Sequence, residues 1–562
     1  MKISELKYVR PDIEAIKARS AELFEAFDNA SSAEEQLKIY NEYISIGENV
    51  STQSSLAYIR FTLDTRDTFY SGEIEWMNEN APALEELNLI FRRKMLGSKF
   101  RPELEKALSP KIFKDYEIAM KAFSPVIAED CVEEAKLQTE YKKLLSSAKI
   151  PFAGGEYNIP QLGKFKESPD RETRKAAFCA QGEWMKKNAD KFDDIFDRMV
   201  KVRDRMAKKM GYKNYVELGY YRMGRDCYSP EDIAAFREQV LNDWVPFVCE
   251  RKAEQAENLG IDRIMLYDDP ITFKDGNPEP KGTPEEIFEN GRKMYKEMSP
   301  LTGEFIDFML DHDLFDVIAR EGKSGGGYCI DLPEYKMPFI FANFNGTYGD
   351  IDVLTHEAGH AIAAYKAMNG ELPVELRSFG METAEVHSMS MEFFAWKWMP
   401  LFFGEKSEEY CAMHLNNAIS FIPYGTMVDY FQQCVYENPE MTPNQRKELW
   451  LSLESKFRPY MSSEGIAYME EGGRWQYQSH IYERPFYYID YCLAQTVAFD
   501  FLIAMLNNYK DAFARYDRFV SAAGSKYFTE LVADAGFMSP FKNGALKHIT
   551  DELKKFAEKE NM

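Results

Sequence analysis

Apolar residues recur at three and four positions along most of this chain, which is the spacing of a helix with one buried face. The pattern predicts helices over Pro11–Phe27, Ala33–Ile46, Leu56–Thr68, Glu73–Leu96 and Ala128–Ser146. Turn formers gather at Asp28-Asn29-Ala30-Ser31-Ser32 and at Gly97-Ser98, so the chain breaks there. Ile150 to Ile159 turns at Gly154-Gly155 and reads as a short β-hairpin and a lobe boundary. A helix opens at Ser168-Pro169-Asp170-Arg171, with proline in its first turn. Tyr228-Ser229-Pro230-Glu231 caps another that runs to Gly260. The prolines between Tyr267 and Thr283 mark a loop, and a helix follows from Glu285. Pro338 to Phe344 alternates as a strand and leads through Asn345-Gly346 into the next helix. Helical spacing returns over Glu405–Glu437, Pro443–Phe457 and, as a tail, Leu493–Met562. The class is mainly α with little sheet.

One helical stretch, Asp350 to Gly370, carries chemistry. Its centre is His356-Glu357-Ala358-Gly359-His360. Residues four apart share a helix face, so both imidazoles can reach one metal ion, with the Glu357 carboxylate beside it to hold and deprotonate a water. The bland alternative is a buried helix whose histidines bond to the core. Asn369-Gly370 predicts a left-handed residue just past the last turn. A second helical pattern, Met381 to Trp398, sets Glu382, Glu385, Met389 and Glu392 on one stripe among aromatic residues. Carboxylates in so apolar a segment need partners. Of these, Glu385 is assigned as third ligand, and Glu382 as a carboxylate reaching a histidine from behind. Two histidines and one carboxylate leave a fourth position for water, the catalytic rather than the structural arrangement of zinc.

His356-Glu357-Ala358-Gly359-His360, with Glu385 following in Glu382-Thr383-Ala384-Glu385-Val386-His387-Ser388, resembles the oligoendopeptidase F branch of the thimet-oligopeptidase family. In that family a zinc-ligand glutamate lies about 25 residues after the second histidine, and Glu385 lies 25 after His360. A third matching element runs from His480 through Pro485 and Tyr488 to Tyr491, and the likeness extends over most of the chain after about residue 165. Ala358 and Ala363 depart from residues common in the family, and neither is a ligand position.

The resemblance implies two helical lobes around a deep substrate channel, with a small β-sheet beside the zinc helix. Residues 1–165 would form the N-terminal lobe and 166–562 the zinc peptidase domain. It implies one Zn2+ held by His356, His360 and Glu385, Glu357 as general base, and His480, Tyr488 and Tyr491 as donors to the oxyanion. The expected activity is cleavage of internal bonds in short peptides. A zinc exopeptidase, or a peptide-binding protein without catalysis, are the alternatives on such a scaffold.

Composition narrows the partners. The 69 Lys and Arg stand against 92 Asp and Glu, a net charge of −23, which argues against nucleic acid and anionic membranes. The acidity either keeps the protein soluble or draws cationic substrates. No apolar run reaches transmembrane length and the N-terminus lacks a signal-peptide core, so a cytoplasmic protein is expected. The eight cysteines are scattered without a Cys-x-x-Cys pair, as for free thiols. Gly322-Lys323-Ser324-Gly325-Gly326-Gly327 is not a phosphate loop; the resemblance implies a segment that meets substrate, and a plain connection is the alternative.

Overall fold

A computed structural model describes residues 2–560. It is mainly helical, with a two-stranded hairpin and one three-stranded sheet. The expected tail helix ends at Glu560, and the last two residues of that expectation lie outside the described residues. Compactness does not follow chain order. One unit gathers Met1–Lys121, Glu279–Ser407 and Ala504–Phe537; the other gathers Ala122–Pro278, Glu408–Ile503 and Met538–Met562. Each compact unit thus draws on three separate segments of the chain.

In the first unit the N-terminal helices meet on Phe91, whose ring lies 4.2 Å from that of Tyr43 and 5.9 Å from that of Phe24. Leu23, Phe27, Met95, Ile112 and Phe113 complete this core. Two helices expected separately, Ala33–Ile46 and Leu56–Thr68, are one helix, Ala33–Leu63. The polar run between them reads as a break, but its end carries the buried polar residues Thr52, Gln53 and Ser55. Thr52 Oγ1 accepts from the Glu334 amide at 3.0 Å, and Gln53 Oε1 accepts from the Val9 amide at 2.8 Å. Hydrogen-bonded polar groups of this kind can be buried without breaking the helix. Tyr40 and Tyr116 both donate to Glu375, at 2.5 Å each, which ties the N-terminal helices to the segment between the two helices of the candidate site.

The hairpin forms as expected, β1 (Ile150–Phe152) against β2 (Gly155–Tyr157). In the three-stranded sheet, β3 (Phe315–Ile318) runs parallel to β5 (Met337–Phe344), and β4 (Tyr328–Leu332) pairs antiparallel with it. The strand read from Pro338–Phe344 is therefore the central one, paired on both sides and buried for most of its length. An added peptide cannot pair with it. The free edge near the following helix belongs to β4, which the sequence presents only as the end of a glycine-rich stretch.

The second unit contains the helix that the sequence caps at Ser229. It begins at Pro230 with Ser229 and Asp232 bonded reciprocally, passes through a π-helical turn at Val240–Trp244, and ends at left-handed Gly260. The Tyr488–Asn507 helix is long and apolar enough to cross a membrane, but 72% of that window is buried inside the protein. It also carries two buried acids, Asp490 and Asp500, so it is a core helix. Burial pushes the Asp500 carboxyl up to about 8. The folded chain thus keeps that proton to about pH 8, whereas the unfolded chain releases it near pH 4. Stability from this group is complete below pH 4 and lost as pH rises towards 8. Asp500→Asn is expected to raise stability at pH 7 by on the order of 2–4 kcal/mol, and to change it little at pH 4; denaturant titrations at the two pH values check this.

Candidate metal and catalytic site

Two helices of the first unit build the site. Gly349–Asn369 carries the histidines and Met381–Phe394 carries Glu385. The turn entering the histidine helix is fixed by Asp350, whose carboxylate accepts from the Asn345 and Gly346 amides at 2.9 and 2.8 Å. The helices cross very closely at Gly359, where an added Cβ would lie 2.6 Å from the His387 carbonyl oxygen and from Ser388 Cα. Only glycine leaves room for that approach. Buried Ala363, four residues on, continues the small face. The helix ends otherwise than expected. Gly370 has φ −81° and is extended, not left-handed. Its lack of a side chain matters instead because a Cβ would stand 3.1 Å from the Lys366 carbonyl.

This crossing sets Glu385 Oε2 at 3.3 Å from His356 Nε2 and 3.6 Å from His360 Nε2. The three donor atoms lie within 4.8 Å of one another. Ser388 Oγ steadies the Glu385 carboxylate at 3.1 Å. His356 Nδ1 lies 2.6 Å from Glu392 Oε1. That contact is the one expected of Glu382. Glu382 stands at the start of its helix, with its carboxylate beside Gly380. Glu392 stands seven residues after Glu385, two turns on along the same stripe, so its position was present in the pattern.

Electrostatics identifies what the cluster wants. Burial lowers the His356 pKa, but hydrogen bonds to Glu385 and Glu392 outweigh it and hold the imidazolium well above its ordinary value. Burial pulls His360 down to about 4. Glu357, one residue along, is buried with Oε2 unpartnered, and burial pushes its carboxyl up to about 7. Two imidazoles and two carboxylates converging without a lysine or arginine fit a divalent cation, which would replace the proton that His356 otherwise keeps. Gly327 of the glycine-rich segment comes alongside: a Cβ there would sit 3.6 Å from Glu357 Oε1. His387 is fully buried between the Phe379 and Phe519 rings, and burial pushes it down to about 3, so it stays a neutral packing residue.

His480, Tyr488 and Tyr491 lie together in the second unit. Ring centroids are 4.9 Å apart for His480 and Tyr488, 5.9 Å for His480 and Tyr491, and 5.6 Å for the two tyrosines. Tyr424 donates to Gln478 Oε1, and Gln478 Nε2 lies 2.8 Å from His480 Nδ1. An amide nitrogen can only donate, so Nδ1 accepts and the ring proton is on Nε2. The segment is held from below by buried arginines. Arg203 donates to the carbonyls of Ile481 and Tyr482, and Arg225 to Phe486 O and, at 2.9 Å, to Asp490. After Pro485, Phe486 turns left-handed at φ +69° and the helix starts at Tyr488.

The Peptidase family M3 model matches residues 164–551, and the Peptidase M3 N-terminal domain model matches 3–123. The chain belongs to peptidase family M3. Its relatives place it in the oligoendopeptidase F branch. It is similar to Oligopeptidase PepF of Bacillus subtilis (strain 168), 23% identical over 90% of this chain and 78% of that one. The Oligoendopeptidase F homolog of Borreliella burgdorferi is 21% identical over 78% of each. Among solved structures, PZ peptidase A with inhibitor 2 superposes with a TM-score of 0.95 at 45% identity, covering 99% of both chains. The chain is therefore a metalloendopeptidase acting on peptides.

If Glu392 orients His356, Glu392→Gln should weaken metal binding 10–100-fold, while Glu382→Gln changes it little; metal titration of the two variants checks the pair.

Proposed function

We propose that the chain is a zinc-dependent oligoendopeptidase that cleaves internal bonds of short peptides, using His356, His360 and Glu385 as metal ligands. The observation that carries this is the convergence of those donor atoms within 4.8 Å, with an unpartnered buried Glu357 carboxylate beside them. Zinc bound there would bring the pKa of a water to roughly 7 and polarise the scissile carbonyl. Glu357 then takes the proton from the attacking water at a carboxylate oxygen and delivers it to the departing amine. Its desolvated setting suits both halves of that transfer, since a carboxylate poised near neutrality can accept and return a proton. Glu392 keeps His356 in the orientation that presents Nε2 to the metal.

The substrate reading rests on β4. An extended peptide would pair with its free edge, main chain to main chain, beginning where Gly327 lies next to Glu357. The preference for short substrates, and the assignment of oxyanion donation to His480 and Tyr491 with Tyr488 beside them, follow from the family resemblance. The Nε2 tautomer that Gln478 selects supports His480 as a donor.

Glu357→Gln is expected to keep its zinc and lose nearly all turnover, because the base goes and the ligands stay. Metal analysis together with mass spectrometry of a digested peptide library tests this. Substantial remaining turnover, or products trimmed only from a terminus, would sink the reading. Tyr491→Phe deletes the hydroxyl and keeps the ring. Its turnover should fall about 10²–10³-fold with unchanged zinc content and melting temperature, whereas a packing role predicts turnover within a few-fold of the parent.

A further inference from the structure

Gly327 fixes which face of β4 looks at the histidine helix, because a Cβ on it would point at Glu357 Oε1 and at Val353 Cγ1, both 3.6 Å away. Side chains alternate along a strand, so Cys329 and Asp331 share that face. The charge of Glu357 reaches the Cys329 thiol, which agrees with this placement. Tyr328 points the other way, stacked on Phe341 at 4.8 Å and bonded to Thr62.

Asp331 is anomalous in this setting. Its carboxylate has no hydrogen bond or ion pair among the described residues, although it is half-buried. The cations of the preceding loop, Arg320 and Lys323, are both paired with Asp316. Burial, with no opposing charge, pushes the Asp331 carboxyl up to about 6. A buried acid without a counter-charge is costly to ionise, and an arriving cation removes that cost.

We propose that Asp331 is a specificity residue that receives a lysine or arginine side chain of the peptide substrate. The inference rests on the peptidase reading above and on pairing of the substrate with the β4 edge. A residue opposite Asp331 on an added strand turns its side chain to the same face, with Cβ atoms about 5 Å apart, so a basic side chain reaches the carboxylate. Asp331 lies four residues along the strand from Gly327, roughly 13 Å. The basic residue therefore stands about three or four positions from the cleaved bond. The acidity of the whole chain works in the same direction by drawing cationic peptides to the site. The competing role for an inward-pointing acid on an edge strand is to block pairing with another protein's strand. That role predicts no preference for basic peptides.

The test is a set of quenched fluorogenic peptides in which one lysine is moved along the sequence, each paired with a glutamine control, assayed with zinc-loaded enzyme. The parent should favour lysine by about tenfold in kcat/KM at one position. In Asp331→Asn that lysine-to-glutamine ratio should collapse towards one, and in Asp331→Lys it should fall below one while glutamate becomes preferred at the same position. Equal ratios at every position in the parent, or a lysine preference that survives Asp331→Asn, would overturn the assignment while leaving the peptidase reading intact. A parent that cleaves none of the peptides would overturn both.

Discussion

The site depends on one close approach. Where Gly359 passes over the His387 carbonyl and Ser388 Cα, two helices come nearer than side chains ordinarily allow. The approach brings the Glu385 carboxylate between two imidazoles on the other helix. A methyl group at residue 359 would push the helices apart by wedging against backbone, which cannot rotate away as a side chain can. Ligand geometry tolerates displacements of only a few tenths of an ångström. The glycine inside the metal motif is therefore as much a part of the site as the histidines.

The convergence of His356, His360 and Glu385 was legible because it follows helix geometry, which spacing alone determines. His356 and His360 are one turn apart, and Glu385 stands on an apolar helix where an acid needs a reason. The choice between Glu382 and Glu392 was not legible. Both sit on the stripe, and which one meets His356 is settled by where the helices cross, a tertiary fact. The single Ala33–Leu63 helix was hidden for a related reason. Its polar middle is satisfied by Glu334 and Val9, residues far away in sequence, so local pattern reads a turn where long-range bonds keep a helix. The place of Pro338–Phe344 within the sheet was hidden similarly. Alternation marks a strand but not whether neighbours already occupy both of its edges.

Two buried arginines of the second unit are each met by an acid. Arg203 is matched by Glu134, and Arg225 by Asp490, with backbone carbonyls taking further donors. Both arginines grip the segment around His480 and Tyr488 through main-chain oxygens. Their positive charge is locked by pairing, and the carbonyls they bind cannot drift. A buried arginine thereby does for a loop what a helix ladder does for a helix: it fixes backbone positions whose side chains must be held still.

Against that habit, the face of the histidine helix that meets β4 stands out. Glu385 and Glu392 lean on the histidines, but among the described residues Glu357 Oε2 has no hydrogen-bond partner and the Asp331 carboxylate has no ion pair. Two acids short of a counter-charge thus stand within one strand's length of each other. Unpaired buried acids lower stability, so their retention at a single place is best explained by what arrives there. One is positioned to exchange a proton with water. The other, four residues down the free edge from Gly327, is positioned to meet a cation carried in by the peptide itself. In the proposed reading the same physical anomaly, an acid short of partners, serves both the chemistry and the selection of what undergoes it.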